Sequence, residues 1–417
     1  MTNQLDTRHR TAPRIAIIGA GVSGLCMSIQ LKKAGIFSFT IYEKSNGIGG
    51  TWRDNTYPGA GCDVPSHLYS FSFEPKTDWS QKYAQQPEIL QYLEQCARKY
   101  GIVNHIHFNT QIIEAYFDEV EGVWRLCTCA GEIIVADILI SGCGQLNRPR
   151  YPNITGLDTF EGTKFHSARW NHQHDLAGKS VAVIGNGASA IQFIPRIALK
   201  TQKLYLFQRS ANWLIPKADR KYTHFEQWVF HQFPVIAKLY RFFLYLQMEK
   251  NFGGFFKGSW LNKQIEKIAT KQLFRQVNDR RLQEVLYPNY PIGCKRILIS
   301  NDYYTSLQSS NVEVVTAPIE QVTSDCIITT DGQSHPVDTI IFATGFEATS
   351  FLAPMRVEGL LNMTLETVWK EGAQAYLGVT VSGFPNFFML FGPNTSLGHN
   401  SIIFMIECQV SYIVKCI

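Results

Sequence analysis

Apolar and polar positions follow two repeated blocks in the first half of the chain. A short apolar run ends at residue 18, a glycine-rich turn follows, and a helical pattern runs to residue 35 before a second apolar run at 39–42. The same order of strand, turn, helix and strand returns at 180–209. Strands that alternate with helices pair in parallel, so the pattern predicts an α/β protein with two such units.

The second block is interrupted by residues 215–292, which are rich in aromatic and amphipathic segments and have no strong strand signal. We interpret them as a helical insertion, after which strands return at 294–300 and 312–332. The most apolar stretch, 228–247, contains charged residues and a proline, so it falls short of a membrane-spanning helix. It predicts a buried amphipathic helix without membrane contact, and a helix on a membrane surface is the alternative.

Length, charge and cysteine spacing narrow the class further. A chain of 417 residues exceeds one ordinary core, and 45% hydrophobic with 18% charged residues is typical of a folded protein. The net charge of +5 comes from scattered basic residues, so no nucleic-acid partner is expected. None of the ten cysteines has the CxxC spacing of a zinc or redox site, so we expect no metal. The first 13 residues lack the apolar core of a signal peptide, which predicts reduced thiols and a cytoplasmic protein.

The first glycine-rich turn has the features of a dinucleotide cradle. In RIAIIGAGVSG, residues 14–24, Gly19 permits the tight turn, Gly21 lets the backbone approach a pyrophosphate, and Gly24 lets the helix pack on the strand. The helix N-terminus offers unpaired N–H groups to the phosphates. Glu43 follows the second strand, where a carboxylate can bind a ribose hydroxyl pair. An ordinary turn is the alternative for each glycine.

The second turn, SVAVIGNGASA at 180–190, repeats the cradle, but a basic residue takes the place of the acidic one after the second strand. Its candidate binding residues are Gly185, Gly187, Ala188 and Ser189. Arg209 stands where the first unit has a carboxylate. An arginine can clamp a 2′-phosphate that a carboxylate would repel, so this cradle predicts NADP over NAD. A solvated arginine at a strand end is the alternative.

Two cradles in one chain imply two dinucleotides, of which the usual pair is FAD and NADPH. The segment VDTIIFATGF, 337–346, resembles the ATG return segment of two-dinucleotide flavoproteins and places Gly345 near a cofactor. The predicted fold is therefore α/β, with two Rossmann-like dinucleotide-binding domains and a helical insertion. We predict an FAD domain of 1–145 and 346–417, an NADP domain of 160–214 and 293–339, the insertion at 215–292, and linkers at 146–159 and 340–345.

The segment FEGTKFHSARWN, 160–171, has neither strand alternation nor a helical stripe. Its Phe160, Gly162, His166 and Trp170 match FxGxxxHxxxW, which resembles the fingerprint of class B flavoprotein monooxygenases. The Baeyer–Villiger branch continues with Pro or Asp, where this chain has Asn171. The resemblance implies a hinge linker between the nucleotide domains, with its aromatic ends anchored in apolar pockets, Gly162 giving backbone freedom and His166 responding to NADP.

Further segments extend this resemblance over residues 14–400. Residues 49–73 resemble the Baeyer–Villiger pattern GG-x-W…N-x-YPG…CD, and they supply the cofactor-side candidates Gly50, Thr51, Trp52, Tyr57 and Asp63. Residues 293–312 resemble the family segment with a Lys-Arg pair, which places Lys295 on NADP and Arg296 in the active site. Residues 384–401 resemble the loop beside the flavin ring, where Gly392 and Asn394 are candidate contacts. Trp52 and Tyr57 are expected to pack on the flavin side.

The resemblance implies a reaction in which one oxygen atom of O₂ is inserted into a small-molecule ketone, through a flavin C4a-peroxide, to give an ester or lactone. A guanidinium stays charged and offers a planar fork of donors, so Arg296 is the expected catalytic residue. A carboxylate beside it would aim that fork, and Asp63 is the candidate. A surface charge and a turn cap are the respective alternatives.

Two other functions stay open at this point. Family members continue beyond the segment ECQVSYIVKCI at 407–417, so the resemblance implies further helices and a substrate loop after it. Without them, the chain could act only as an NADPH oxidase that binds flavin. Oxygenation of nitrogen or sulfur is the third candidate, with which Asn171 is compatible. Neither the ketone nor the oligomeric state follows from the sequence.

Overall fold

Two parallel β-sheets form the centre of the structure, a computed structural model that describes residues 12–417. The first has the order β19-β7-β1-β2-β3, with β1 Ile15–Ile18, β2 Phe39–Tyr42, β3 Ile106–His107, β7 Ile138–Ser141 and β19 Phe387–Met389. The second has the order β13-β10-β9-β17-β8, with β8 Thr163–His166, β9 Ser180–Ile184, β10 Lys203–Phe207, β13 Val312–Val315 and β17 Thr339–Phe342. Residues 1–11, on which the expectation about a signal peptide largely rests, lie outside the described part.

The two sheets are built alike around the predicted cradles. Strand β1 pairs in parallel with β2 and β7, and β9 pairs in the same way with β10 and β17. Each glycine turn therefore leaves a central strand of its sheet. The strand β17 corrects one prediction, because residues 340–342 lie inside the second sheet and not in a linker at 340–345.

The strand β8 corrects a second prediction. The fingerprint segment was expected to be an irregular hinge, yet Thr163–His166 pairs in parallel with β17 at the edge of the second sheet. Phe165 and His166 are both buried there, so the strand has no alternation of apolar and polar residues. Its partner lies far along the chain, and only the folded sheet shows that the segment is a strand.

Three smaller sheets complete the strands. A four-stranded sheet has the order β18-β4-β5-β6, with β4 Ile112–Asp118, β5 Val123–Thr128, β6 Ile133–Ala136 and β18 Arg356–Glu358. An antiparallel sheet beside the second parallel sheet contains β14 Ile319–Val322, β15 Cys326–Thr329 and β16 Ser334–Pro336. A two-stranded parallel pair joins β11 Leu214–Ile215 to β12 Leu298–Ile299 across the ends of the insertion.

Helices cover the sheets and form the insertion. Those of the two nucleotide units are α1 Val22–Lys33, α2 Thr51–Asp54, α3 Gln86–Lys99, α4 Ala190–Ile197, α9 Tyr303–Ser306, α10 Leu365–Val368 and α11 Ile402–Cys416. Helix α1 packs between the first sheet and α11, and eight of its residues are buried. The insertion contains α5 His224–Gln232, α6 Pro234–Lys250, α7 Trp260–Gln276 and α8 Arg280–Leu286.

Helix α6 corrects a third prediction. Its sequence predicted a buried amphipathic helix, but only Ala237 and Leu244 are buried. Ala237 joins Tyr222 and Phe230 in the core of the first nucleotide unit. The helix therefore packs by a narrow side, with Tyr240 and Tyr245 partly buried, and six of its apolar residues between Val235 and Leu246 are exposed. Within residues 12–417, the structure has no helix with the length and apolar character needed to cross a bilayer.

Candidate active site

The first cradle is shaped by glycines that other residues could not replace. Gly19 has φ of +99°, and a Cβ on Gly24 would lie 1.9 Å from the Gly19 carbonyl oxygen. Gly21 approaches Gly50, where a Cβ would lie 3.2 Å from the Gly21 Cα. Gly21 precedes α1 without a side-chain cap, so the helix N-terminus keeps free N–H donors. This open N-terminus between close backbones fits a pyrophosphate.

Glu43 follows β2, where the sequence predicted it, and it is almost fully buried. Its Oε2 accepts a hydrogen bond from the Ala20 N–H (2.8 Å), and its Oε1 accepts one from the Ser45 N–H (3.0 Å). The Arg53 guanidinium lies 3.4 Å from Oε1 and also donates to the Gly47 carbonyl. Glu43 thus ties the glycine turn to the loop after β2. No motif in the sequence pointed to Arg53.

The second cradle has the same kind of turn, but more space is free beside its second glycine, Gly187. Gly185 has φ of +103°, and a Cβ there would lie 2.5 Å from the Ala343 carbonyl oxygen. A Cβ on Gly187 would meet nothing within 4 Å, so the space beside this residue is free for a ligand. Ser189 precedes α4 without a side-chain cap. The Asn186 amide donates to Gln208 Oε1 and to the Ser210 carbonyl, both at 2.9 Å, which fixes the turn.

Two cations lie together beside this turn. Arg209 lines a groove of about 220 Å³ at the end of β10. Lys295 Nζ donates to Ser210 Oγ (3.0 Å) and lies 4.5 Å from the centre of the Tyr290 ring. Arg209 has no carboxylate partner among residues 12–417. Ser210 lines the same groove as Arg209, so the Lys295 ammonium lies next to that groove, and the two cations suit an anionic group such as a 2′-phosphate.

Asp63 and Arg296 form an ion pair. Arg296 Nη2 lies 2.9 Å from Asp63 Oδ2, and the side chains are 55% and 12% exposed, respectively. Asp63 belongs to the first nucleotide unit, whereas Arg296 lies just before β12 at the end of the insertion. The guanidinium is held at one end and keeps an accessible face, so it can donate to a further oxygen atom.

Gln192, in the first turn of α4, supports this pair and was missed from the sequence. Its Nε2 donates to Asp63 Oδ1 (3.3 Å) and to the Gly61 carbonyl (3.1 Å), and its Oε1 accepts from the Tyr57 hydroxyl (2.9 Å). One amide therefore joins the second unit to the 57–63 segment of the first. A single glutamine on a helix carries no motif, so no sequence signal pointed to it.

Tyr57, which was expected on the flavin side, contacts α4 of the second nucleotide unit. Its hydroxyl donates to Gln192, and its ring packs edge-on against Phe193 of α4 at 5.9 Å. Burial raises the pKa of Tyr57 to about 12, so the hydroxyl remains a donor. Trp52, in contrast, stays within the first unit and donates from Nε1 to the Tyr69 hydroxyl (3.0 Å). Thr51 is exposed beside it at the start of α2.

The fingerprint residues are held in place by close packing. Phe160 is buried in the core of the second sheet, and Trp170 packs against Phe165 and Phe193 at 5.2 and 5.3 Å. Gly162 corrects the expectation of backbone freedom. A Cβ there would lie 2.5 Å from both the Asp338 carbonyl oxygen and the Phe160 ring, so the glycine is needed for close approach.

His166 ends β8 and is fully buried. Its Nδ1 accepts a hydrogen bond from the Ala168 N–H (3.1 Å), which leaves the proton on Nε2. Burial lowers the pKa of His166 to about 4, and the Gly345 backbone partly opposes this shift. The histidine is therefore neutral at physiological pH and lies beside the return segment after β17.

The end of the fingerprint contacts the first nucleotide unit. Arg169 Nη1 lies 3.5 Å from Asp54 Oδ2, and the Thr56 hydroxyl lies 2.7 Å from His172 Nε2. Both contacts are partly exposed, so each contributes little energy by itself. They nevertheless fix where the fingerprint lies relative to the segment that carries Tyr57 and Asp63.

The loop after β19 lies at the carboxyl ends of the strands of the first sheet, where the first glycine turn also lies. The Leu390 N–H donates to the Ser141 carbonyl (2.8 Å) at the end of β7. Gly392 is buried, and a Cβ there would lie 2.2 Å from the Gly378 carbonyl oxygen. Asn394 has φ of +61° and is exposed. Gly392 and Asn394 thus belong to a tight loop at the same sheet edge as the first cradle.

Comparison with known proteins agrees with this arrangement. A family model described as flavin-binding monooxygenase-like matches residues 12–369. A Baeyer–Villiger monooxygenase of Pseudomonas aeruginosa is 44% identical over 404 residues, which cover 97% of this chain and 77% of the relative. A Baeyer–Villiger monooxygenase of Streptomyces coelicolor is 42% identical over 400 residues, which cover 96% and 77%, respectively.

Solved structures of other monooxygenases superpose on this fold. Oxidised steroid monooxygenase bound to NADP superposes with a TM-score of 0.86 at 32% identity, covering 97% of this chain and 85% of that chain. The closed crystal structure of cyclohexanone monooxygenase has a TM-score of 0.86 at 28% identity and covers 97% and 83%. These likenesses confirm the predicted α/β fold class with two dinucleotide-binding domains.

Proposed function

This chain belongs to the family of flavin-binding monooxygenase-like proteins, and we propose that it inserts one oxygen atom of O₂ into a ketone to give an ester or lactone. It is an NADPH-dependent flavoprotein monooxygenase of the Baeyer–Villiger type. The observation that carries the proposal is the Asp63–Arg296 ion pair, which joins the first nucleotide unit to the end of the insertion and is supported by Gln192 of the second unit. The relatives support this reaction and not heteroatom oxygenation or simple NADPH oxidation.

The residues around the cradles fit FAD and NADP. Gly19, Gly21, Gly24 and Gly50 leave a backbone opening at the N-terminus of α1, which would hold the FAD pyrophosphate. The opening beside Gly187 would hold the NADP pyrophosphate. When bound, the pair supplies electrons from NADPH and activates O₂ on the flavin. Glu43 retains room on its carboxylate for a ribose hydroxyl, in addition to its three protein donors.

Arg296 is proposed as the catalytic residue. A ketone that is attacked at its carbonyl carbon develops negative charge on the oxygen. The accessible part of the Arg296 guanidinium can donate to that oxygen through its planar set of N–H groups. Because the donor is already oriented by Asp63, little reorganisation is needed as the charge develops.

Asp63 and Gln192 are proposed as positioning residues. Asp63 accepts from Arg296 through one oxygen and from Gln192 through the other. With both oxygens engaged, the carboxylate has few rotamers open to it, and the guanidinium direction is fixed. Gln192 lies on α4, so the orientation of Arg296 depends on how the two nucleotide units are placed.

Arg209 and Lys295 are proposed to select NADPH over NADH. Arg209 can contact a 2′-phosphate in bidentate fashion, and Lys295 adds a second charge beside Ser210, which lines the same groove as Arg209. The neutral His166, with its proton on Nε2, is proposed to report NADP binding to the edge strand β8. We also propose a reducing compartment, the cytoplasm, because all ten cysteines are free.

A product analysis tests the reaction. The purified protein is incubated with FAD, NADPH and air, together with cyclic, linear and aryl ketones and one aryl sulfide. Chromatography then separates ester, sulfoxide and hydrogen peroxide. The expected result is ester from at least one ketone, with at least 100-fold less ester from the matched Arg296→Ala variant. If sulfoxide or hydrogen peroxide forms and none of the ketones gives an ester, the proposal is contradicted.

A further inference from the structure

One side of α6 is apolar although nothing in the described chain covers it. Six residues at helical spacing form this side, and each is between 43% and 67% exposed: Val235, Ile236, Leu239, Phe242, Phe243 and Leu246. At about 100° per residue they occupy a sector about 120° wide. We call this set the α6 outward face. It lies opposite Ala237 and Leu244, which are buried.

Exposed aromatic rings extend the α6 outward face at both ends. Phe225 stacks on Trp228 at 5.9 Å, and Trp228 meets Phe233 edge-on at 6.0 Å just before α6. All three are 49–70% exposed. After α6, Phe256 and Trp260 are 58% and 71% exposed. An apolar surface of this extent is rare on a free protein and indicates a binding surface.

The charges around this surface are basic. Lys238, Lys250 and Lys257 are exposed within residues 224–260. The same range contains two carboxylates, and both are engaged elsewhere. Glu226 pairs with Arg220 at 2.6 Å, and Glu249 accepts a hydrogen bond from the Asn400 amide. The rim of the α6 outward face thus presents positive charge without an exposed, unengaged acid.

Hydrogen bonds on the inner side of α6 attach the helix to the rest of the protein. Arg241 is partly buried on its inner side, and its Nη1 donates to the His67 carbonyl and, at 3.2 Å, to Ser70 Oγ. These bonds join the helix to the first nucleotide unit. The outward face therefore has a fixed orientation and does not need to turn over to reach a partner.

We propose that the α6 outward face docks on an anionic phospholipid surface. The helix would lie in the plane of the interface, with its apolar sector among the acyl chains, its lysines at the headgroups and Trp228 and Trp260 at the boundary. A second copy of the chain fits less well, because a two-fold pairing of this face would bring Lys238 and Lys250 near the same lysines of the other copy. Negatively charged lipid complements the same residues.

Vesicle flotation of the full flavin-loaded chain tests this proposal, and it needs no turnover, so its result is independent of the reaction proposed above. The probes are vesicles of phosphatidylcholine alone and of phosphatidylcholine with phosphatidylglycerol. We expect binding to the anionic vesicles, with a preference on the order of 100-fold from the three lysines. Replacing those lysines together with glutamine should remove most of this preference.

The apolar contribution is tested by Leu239→Ser combined with Phe242→Ser, which should weaken binding more than 10-fold. Leu199→Ser is the matched control, because Leu199 is 82% exposed and lies outside this surface. Flavin content and the unfolding temperature of each variant verify folding. The proposal is overturned if the chain floats with neither vesicle, or if the double variant binds as well as the control. A dimer that the double variant dissociates, without vesicle binding, would assign the face to a second copy instead.

Discussion

Asp63 and Arg296 are 233 positions apart in the chain, and their side chains meet at 2.9 Å. One comes from the first nucleotide unit and the other from the end of the helical insertion. Gln192 of α4 donates to the same carboxylate, so three separate parts of the chain converge on one charged group. The proposed catalytic guanidinium is therefore positioned by the arrangement of the whole molecule.

Arg296→Ala should reduce ester formation by at least 100-fold while flavin stays bound. The side chain removed would donate to the charge that develops during the reaction, and a loss of this size is typical of a missing oxyanion donor. Ester is measured by chromatography and bound flavin by its absorbance. Arg296→Lys is the matched variant, and it should retain part of the activity because it keeps the charge without the planar fork. Wild-type ester yields from Arg296→Ala would exclude the assignment.

Gln192→Ala should lower kcat about 10-fold with little change in flavin content, because it removes the donor that orients Asp63. Tyr57→Phe is the control that removes only the hydroxyl bonded to Gln192, and we expect a smaller effect from it. A double-mutant cycle with Asp63→Ala gives the decisive comparison. If Gln192 acts through Asp63, its replacement has little further effect in that background. Additive losses would show that Gln192 acts independently.

Arg209→Ala and Lys295→Ala should each lower kcat/KM for NADPH by about 10- to 100-fold, since each removes one charge-assisted contact to the 2′-phosphate. The rate with NADH, which has no 2′-phosphate, should change little. The ratio of the two rates is measured by NAD(P)H consumption with a saturating ketone. A parallel fall with both coenzymes would mean that these cations stabilise the fold and not the phosphate.

Two glycine substitutions should separate packing from binding. Gly24→Ala places a Cβ 1.9 Å from the Gly19 carbonyl oxygen, so we expect a loss of about 1–3 kcal/mol in unfolding free energy together with weaker flavin retention. Gly187→Ala meets nothing within 4 Å, so its unfolding temperature should match the wild type. Its methyl group would instead obstruct the NADP pyrophosphate and raise KM for NADPH. A stable Gly24→Ala that retains flavin would contradict the packing argument.

Stability should fall as the pH drops from about 6.5 to about 4. Burial lowers the pKa of His67 and that of His166 from 6.5 to about 4 in the folded protein. In this range the unfolded chain binds more protons than the folded one, so acidification favours unfolding by up to about 2 kcal/mol per histidine between pH 7.5 and 5. Urea unfolding at these two pH values measures the difference.

His67→Phe isolates one of these contributions. His67 packs edge-on against Tyr222, Phe230 and Tyr240 at 4.7–5.3 Å, and a phenyl ring fits the same aromatic surroundings. The variant should lose less stability on acidification than the wild type. His224→Asn, which alters an exposed histidine, should behave like the wild type. An unchanged pH dependence in His67→Phe would show that this imidazole is not the source.

The sequence by itself determined the two nucleotide cradles and the fold class, because both depend on local backbone requirements. Gly19 and Gly185 must adopt positive φ, and Gly24 must let a helix touch a strand, so residue type and spacing are sufficient to recognise them. The positions of Glu43 and Arg209 after their strands follow from the same short-range order.

Only the tertiary structure decided what lies between the cradles. Strand β8 exists because β17 lies beside it, Gly162 is required because Asp338 and Phe160 crowd it, and Gln192 matters because the 57–63 segment packs on α4. The exposed face of α6 has the same origin, since helical periodicity shows that a side is apolar but not whether another element covers it. These features depend on partners far along the chain, and their positions are fixed by the packing of whole elements.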